Sequence, residues 1–284
     1  MIYILTILVI AAFIAFVYVQ SSGYDIVEYD LHTDKNIEST VSFVMLSDLH
    51  DTDVTHDGNK KLIESIDKIN PDFVILAGDM ITSYSKTNDK SNVTFDFLKE
   101  LSGKYKVYYG LGNHEQRYKA EPDKFKGKYD ELVKYVTELG IEFLSDTYSD
   151  SAGNNIRIYG YDIPIENYRR GVRTKLPDRV IEDTLGKADH DRYNILIAHT
   201  PDFFDDYVDF GADLVLAGHL HGGIVAIPGI GGVISPQLQL FPKYDSGSFT
   251  ENNTTMIVSR GIGWHSVPIR IFNKAEIVSV TIRP

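Results

Sequence analysis

Apolar positions along this chain of 284 residues fall into three kinds of run. The first, Ile2 to Val19, holds no charge and no proline. At 1.5 Å rise per residue it nearly crosses a hydrocarbon core, so residues 1–20 read as a transmembrane anchor. A cleaved signal peptide is the competing reading, but the basic leader is missing and Val-Gln-Ser-Ser-Gly makes a poor cleavage site. The second kind consists of short buried-strand runs alternating with helical spacing. Val41 to Ser47 is followed by Leu62, Ile63, Ile66 and Ile69 at helical intervals, then by Pro71 and a second strand run, Phe73 to Ala77: a βαβ unit. Further strands are predicted at Lys106 to Gly110, Ile156 to Tyr161, Tyr193 to Ala198 and Leu214 to Ala217, with helices near Tyr129 to Leu139 and Phe203 to Phe210. Such alternation implies a covered, layered sheet. In the third kind, Met256 to Ser259, Val267 to Phe272 and Ile277 to Ile282 have no helix between them, which predicts a second, more antiparallel sheet. Ser21 to Asp34 reads as a linker, and Ser235 to Thr255 as one long loop. Residues 21–40 are thus expected to be linker and first strand, and residues 41–284 one α/β domain.

Charge narrows the function classes. Asp and Glu number 40 against 28 Lys and Arg, a net charge of −12, which argues against a surface built to neutralise nucleic-acid phosphates. Any positive charge that attracts phosphate must be local, and bound divalent ions supply it without altering the composition. The absence of cysteine removes disulfides, thiolate zinc sites and cysteine nucleophiles. The first Lys or Arg after the apolar run is Lys35, while Asp25, Glu28 and Asp30 follow it closely, so the domain is expected on the extracytoplasmic side of a single-pass anchor.

The chemistry gathers at the strand ends. Val41 to Ser47 delivers Asp48 and His50; Phe73 to Ala77 delivers Gly78 and Asp79; Lys106 to Gly110 delivers Gly112, Asn113, His114 and Glu115. Tyr193 to Ala198 ends in His199, and Leu214 to Ala217 leads to Gly218, His219 and His221. In open α/β sheets ligands bind beyond the carboxyl ends of the strands, so these side chains are expected to converge. Asp48 and His50, two apart, share a face if the backbone is extended, as do His219 and His221. Glycines 78, 112 and 218 let the backbone approach the cluster without a clashing Cβ. Imidazole, carboxylate and amide oxygen together suit Mn²⁺, Zn²⁺ or Fe rather than a structural thiolate zinc site. One carboxylate bridging two cations makes a clamp for displacement at phosphorus.

The order Asp-x-His, Gly-Asp, Gly-Asn-His-Glu, His, Gly-His-x-His resembles the calcineurin-like metallophosphoesterases, from about Val41 to the C-terminus. The anchored N-terminus and the His-Gly-Gly at 221–223 are most similar to the bacterial membrane-anchored YkuE-type branch. The resemblance implies a four-layer α/β/β/α sandwich of two mixed sheets behind the transmembrane helix. It implies that Asp48, His50 and His221 bind one divalent ion, that Asn113, His199 and His219 bind the other, and that Asp79 bridges them. A hydroxide held between the ions would attack phosphorus, with His114 donating to a phosphate oxygen or the leaving group and Glu115 orienting His114. Ile224 stands where this branch commonly has Gln, a change that touches substrate contacts at most.

Beyond the motif, Arg117 could grip a substrate phosphate and Arg260 could reach the same region. Tyr168, Arg169, Arg170 and Arg173 form a basic patch read as a solvated face, with anionic lipid as the sharper option. His32, His56, His190 and His265 read as surface or neighbouring residues, and Asp51 with His56 as a solvated loop. The function these features point to is hydrolysis of a phosphodiester or pyrophosphate, on lipid-linked or cell-envelope material at the bilayer. A UDP-2,3-diacylglucosamine-type pyrophosphatase is the alternative, disfavoured because the polar 235–255 stretch lacks an apolar acyl clamp. A non-catalytic scaffold of the same fold is disfavoured because every ligand position is present.

Overall fold

A computed structural model describes residues 2–84, 90–169, 174–223, 225–227, 229–235, 239–264 and 269–284. Helix α1 (Ile2–Ser21) is exposed along most of its length, meets the domain through its last turns, and is the one helix among the described residues long and apolar enough to cross a membrane. Gly23 turns the chain into β1 (Tyr24–His32). This segment is a strand and not a linker: Val27, Tyr29 and Leu31 are half-buried while Glu28, Asp30 and His32 are exposed, the period of two of a half-buried edge strand.

The βαβ unit follows as β2 (Val41–Leu46), α2 (Lys60–Ile69) and β3 (Phe73–Ala77). After it come α3 (Lys90–Ser102), β4 (Lys106–Gly110), α4 (Asn113–Ala120), α5 (Lys128–Glu138), β5 (Glu142–Leu144), β6 (Thr147–Ser149) and β7 (Ile156–Gly160). The second half runs α6 (Val180–Leu185), β8 (Tyr193–Ile197), α7 (Phe204–Phe210), β9 (Leu214–Ala217), a hairpin β10 (Val225–Ile227) and β11 (Gly231–Ile234), then β12 (Gly247–Glu251), β13 (Thr254–Val258) and β14 (Ala275–Arg283). Two six-stranded mixed sheets result, ordered β1-β14-β2-β3-β4-β5 and β12-β13-β9-β8-β7-β6.

Alternation along the central strands makes four layers. Phe43 and Met45 of β2, Phe73 and Ile75 of β3, and Val278 and Val280 of β14 pack against Ile195, Ile197, Leu214, Leu216 and Ile257 of the other sheet. The intervening Val44, Leu46, Val74 and Leu76 face Leu62, Ile63 and Ile66 of α2 and Phe97, Leu98 and Leu101 of α3. On the far side Leu196, Val215 and Ala217 face Ile181 and Leu185 of α6 and Phe204, Tyr207 and Phe210 of α7. The architecture is the α/β/β/α sandwich that the sequence suggested.

Three expectations change. The late strands do not form a sheet of their own: β13 joins the second sheet, parallel to β9, and β14 enters the first, antiparallel to β2. Of Val267 to Phe272, Val267 and Pro268 lie outside the described residues, and the remainder is not a strand; Ile271 makes a single bridge to Val225. The stretch from Ser235 to Thr255 is not one loop, because Gly247–Glu251 pairs antiparallel with β13.

Candidate metal centre

Each strand that carries a motif ends two or three positions before the motif's first polar side chain. β2 ends at Leu46, and both Asp48 (φ 56°) and His50 (φ 52°) are left-handed; Asp79 (φ 53°), His219 (φ 70°) and His221 (φ 51°) follow suit. The pairs two apart therefore do not meet through extended backbone, as the spacing suggested. Each left-handed residue reverses the chain just beyond the sheet while its side chain stays over the sheet end. Backbone bonds between neighbouring turns hold these reversals: Asp48 N–H donates to Gly78 O (3.0 Å), His50 N–H to Asp79 O (3.0 Å) and Gly263 N–H to Asp48 O (2.9 Å). A Cβ on Gly218 would overlap the Ser47 hydroxyl and the Asp48 carboxylate, so this turn requires glycine for close approach.

All seven motif side chains meet, and all are buried. Asp48 Oδ1 lies 3.3 Å from His221 Nε2 and 3.7 Å from His50 Nε2, and those two nitrogens are 3.1 Å apart. Asp79 Oδ2 lies 3.2 Å from His199 Nε2 and 3.8 Å from His50 Nε2. His219 completes a second group with Asp79 and His199. Donors about 2.1 Å from a shared tetrahedral ion lie about 3.4 Å from one another, so these separations match ligands around a cation.

Two atoms ask for such a cation. The His199 Nδ1–H donates to Ala77 O (2.7 Å), which aims the buried Nε2 at Asp79 Oδ2 (3.2 Å), a place where either a proton or a cation can sit between the two atoms. The inner end of the Asn113 amide lies 2.7 Å from His219 Nδ1 and 3.2 Å from Asp79 Oδ2, both acceptors, and the outer end lies 2.9 Å from Arg117 Nη1, a donor. Nitrogen turned inward suits a pocket without a cation; a cation draws the oxygen inward. The donor set, nitrogen and oxygen only, is that of a divalent ion, and the residues fit one.

Charge tells the same story. Burial opposes ionisation of Asp48, yet His221, His199 and His50 outweigh it and hold the carboxyl far below the usual range; His199 and His114 do the same for Asp79. Burial opposes a charged His199, but Asp79 and Asp48 lift it to about 10. The cluster stabilises positive charge at its centre.

Residues 41–223, more than half of the chain, match the family described as calcineurin-like phosphoesterase. The chain belongs to that family. This calcineurin-like phosphoesterase is 27% identical over 246 residues to the uncharacterized metallophosphoesterase YkuE of Bacillus subtilis, covering 84% of this chain and 78% of that one. It is 25% identical to an uncharacterized metallophosphoesterase of Helicobacter pylori, covering 90% of this chain and 63% of the relative. A third relative, a transmembrane protein with metallophosphoesterase domain from Danio rerio, is 21% identical across 91% of this chain and 57% of its own length. The chain thus spans about three-fifths of two of these relatives. Family membership makes the protein a metal-dependent phosphoester hydrolase.

Around the cluster the calcineurin-like phosphoesterase departs from the sequence reading in several places. His114 sits at the edge, its Nε2 4.0 Å from Asp79 Oδ2. Glu115 does not orient it. The Glu115 carboxylate is fully buried and accepts from the backbone N–H groups of Asp79, Met80, Ile81 and Gly112 (2.9 to 3.2 Å) and from the Tyr109 hydroxyl (2.7 Å), so it braces the turn that carries Asp79. The imidazole is held instead by Ser83, whose N–H donates to His114 Nδ1 (2.8 Å) with the hydroxyl 2.9 Å away. That bond places the proton of the neutral ring on Nε2, towards the cluster.

Arg117 lies beside Asn113 and over the Tyr84 ring, at the cluster. Arg260 does not reach it: its guanidinium bonds the buried Glu276 (2.6 Å) and faces Asp25, on the β1 side, although the next residue, Gly261, abuts Asp48 and His221. Asp51 is not a solvated loop residue but is buried, accepting from Thr82 N–H (2.8 Å) and Thr94 Oγ1 (2.9 Å). Tyr168 leaves the expected basic patch altogether and is buried, with its ring edge-on to His219 at 4.9 Å. No spacing signal marked it, since it arrives from the short helical turn Ile165–Tyr168, which packs on α4. Arg169, His32, His56 and His190 are exposed; Arg170, Arg173, Ile224 and His265 lie outside the described residues.

Proposed function

We propose that the protein hydrolyses a phosphodiester or pyrophosphate at a membrane surface with two divalent ions, Mn, Fe or Zn. Asp48, His50 and His221 surround one, Asn113, His199 and His219 the other, and Asp79 is shared. One observation carries the reading: a single oxygen, Asp79 Oδ2, faces His50 of the first group and His199 of the second at once, while the other oxygen is held by the His114 N–H (2.7 Å). A pair of ions there would polarise the phosphoryl oxygens and lower the pKa of bound water. His114, with its Nε2 proton fixed by Ser83, donates to a phosphoryl or leaving-group oxygen. Arg117 stands where its fork can take a phosphate oxygen.

The apolar α1 supports a membrane location. Its last turn holds no basic residue, and Asp25, Glu28 and Asp30 follow, which favours an extracytoplasmic domain. Lipid-linked or cell-envelope phosphoesters are then the accessible substrates. The UDP-2,3-diacylglucosamine-type pyrophosphatase gains support from the 235–255 stretch, which carries exposed Leu240 and Phe241 and so is not without apolar side chains. The full chain in detergent, offered bis-p-nitrophenyl phosphate, p-nitrophenyl phosphate and pyrophosphate with each metal, should turn over the diester or the pyrophosphate. Silence on all three with Mn²⁺, Fe²⁺ and Zn²⁺ would leave the scaffold reading standing.

A further inference from the structure

The anchor helix does more than trail from the domain. The Phe16 ring lies against Phe272, with centroids 5.4 Å apart. Gln20 Oε1 accepts from Phe272 N–H (3.2 Å) and the Ser21 hydroxyl from Arg270 N–H (2.9 Å). Phe16 is three residues inside the apolar run that ends at Val19, about 4.5 Å below that end along the axis. Phe272, exposed and level with Phe16, therefore lies below the plane at which the helix leaves the hydrocarbon.

Phe272 does not stand alone. Ile271 bridges Val225, so the segment adds a rung to the β10–β11 hairpin; on the other side of the hairpin Leu240 bridges Ile234 and Phe241 N–H donates to Val233 O (3.0 Å). One small ribbon thus presents Phe272 (51% exposed), Ile227 (41%), Ile230 (67%), Leu240 (69%) and Phe241 (58%). Large apolar side chains gathered in this way are uncommon on a surface that faces only water. Lys243 and Tyr244 follow, the ammonium 4.5 Å from the ring centroid, and the ring turns back onto Phe204 of α7, which ties this end of the ribbon to the domain.

We propose that this ribbon is a second membrane contact, dipping into the headgroup and upper acyl region of the bilayer that takes α1 and turning the metal centre towards that surface. The substrate is then the phosphoester of an amphiphile whose apolar part stays in the bilayer. The ribbon and the cluster are one segment: Gly222 and Gly223 lead from His221 into β10, and the Asn273 side-chain amide, next to Phe272, donates to the carbonyls of His221 (2.5 Å) and Gly223. A surface that seats Phe272 in lipid is therefore joined to the His221 backbone through the side chain of the next residue, Asn273. The substrate assignment rests on the hydrolase reading above; the membrane contact does not.

The chain has no cysteine, so single labels are simple to place. Full-length I230C, F241C and K134C, each carrying an NBD fluorophore, are reconstituted into phosphatidylethanolamine and phosphatidylglycerol vesicles with and without a lipid bearing doxyl at acyl carbon 5. Lys134 on α5 is the control, its side chain 76% exposed and outside the ribbon. Insertion of about 5 to 10 Å predicts emission at 230 and 241 quenched roughly twofold or more, with 134 unchanged. Quenching at 230 and 241 no greater than at 134 overturns the proposal. The readout needs no turnover: deep labels on a chain inert towards every ester would sink the hydrolase reading alone, and unquenched labels on an active enzyme would sink the membrane contact alone.

Discussion

Glu115 is the residue whose replacement best tests the architecture of the site. Its two carboxylate oxygens accept five hydrogen bonds without solvent, and three of the donors are consecutive backbone N–H groups from Asp79 to Ile81. In Glu115→Gln, whichever way the new amide turns, two backbone N–H groups face its NH₂: Asp79 and Gly112 on one side, or Met80 and Ile81 on the other. A bond to a charged group contributes about 1.5 to 3 kcal/mol, so losing two costs about 3 to 6 kcal/mol, a large part of a typical domain's stability. The freed turn also lets Asp79 drift, and losing such a support lowers metal affinity by about 10- to 100-fold. Urea unfolding in detergent, followed through the single tryptophan, Trp264, measures the first effect, and Mn²⁺ titration calorimetry the second. Had Glu115 acted on the His114 imidazole, the variant would keep its stability and metal affinity and lose only kcat. Stability within about 1 kcal/mol of the parent, together with a collapsed kcat, would refute the bracing role.

His114→Ala should lower kcat by about 10² to 10⁴ with metal content unchanged by elemental analysis; unchanged turnover would remove its role as proton donor. Ser83→Ala keeps the backbone N–H that fixes the His114 tautomer and should cost less than about tenfold, and a larger loss would mean that the hydroxyl itself matters. Asp79→Asn removes the charge shared by both groups, so elemental analysis should find less than two ions per chain and diester turnover should vanish; a variant with two ions and full activity would contradict the bridge. The folded-state pKa of His199, raised from 6.5 to about 10, means that its proton stabilises the metal-free fold fully below about pH 6.5 and that this contribution is lost as pH rises through about 10. In EDTA the midpoint of thermal unfolding should therefore fall across that window, and saturating Mn²⁺, which replaces the proton, should flatten the curve. Parallel curves with and without Mn²⁺ would show that His199 does not meet the ion.

Much of this site could be read from the chain because its side chains are attached to strand ends, and strand ends are where hydrophobic runs stop. The run Phe73 to Ala77 matches the observed strand residue for residue, and Asp79 follows it by necessity. What could not be read was contact across the fold. Glu115 was placed beside His114 because they are neighbours in sequence, but on α4 successive side chains diverge and Glu115 turns under the sheet end to the turn after β3. Tyr168 and Asp51 looked like surface residues because polar neighbours flank them, yet one covers His219 and the other ties Thr82 to Thr94. β1 was legible in the alternation of Val27, Tyr29 and Leu31 but was obscured by Asp25, Glu28 and Asp30, the last two of which take the exposed face of this edge strand.

The left-handed residues show why the proposed ligands sit where they do. Asp48, His50, Asp79, His219 and His221 all adopt a conformation that costs a non-glycine residue roughly 1 to 2 kcal/mol. Glycine would relieve that strain at each position and remove the ligand, so the backbone preference and the chemistry are in direct conflict, and the chemistry prevails at all five. The conflict is tolerable because the turns interlock: Asp48 is tied to the turn after β3, His50 to Asp79, and the His219 N–H to both Asp48 carboxylate oxygens at 3.2 Å. Two buried carboxylates so placed repel each other unless positive charge lies between them. In the metal-free chain protonated imidazoles can supply that charge, and a cation supplies it by accepting the same ring-nitrogen lone pairs in place of the protons. Strain, burial and charge therefore favour the same occupant, and the turns that hold the strain are the ones that aim the ligands at it.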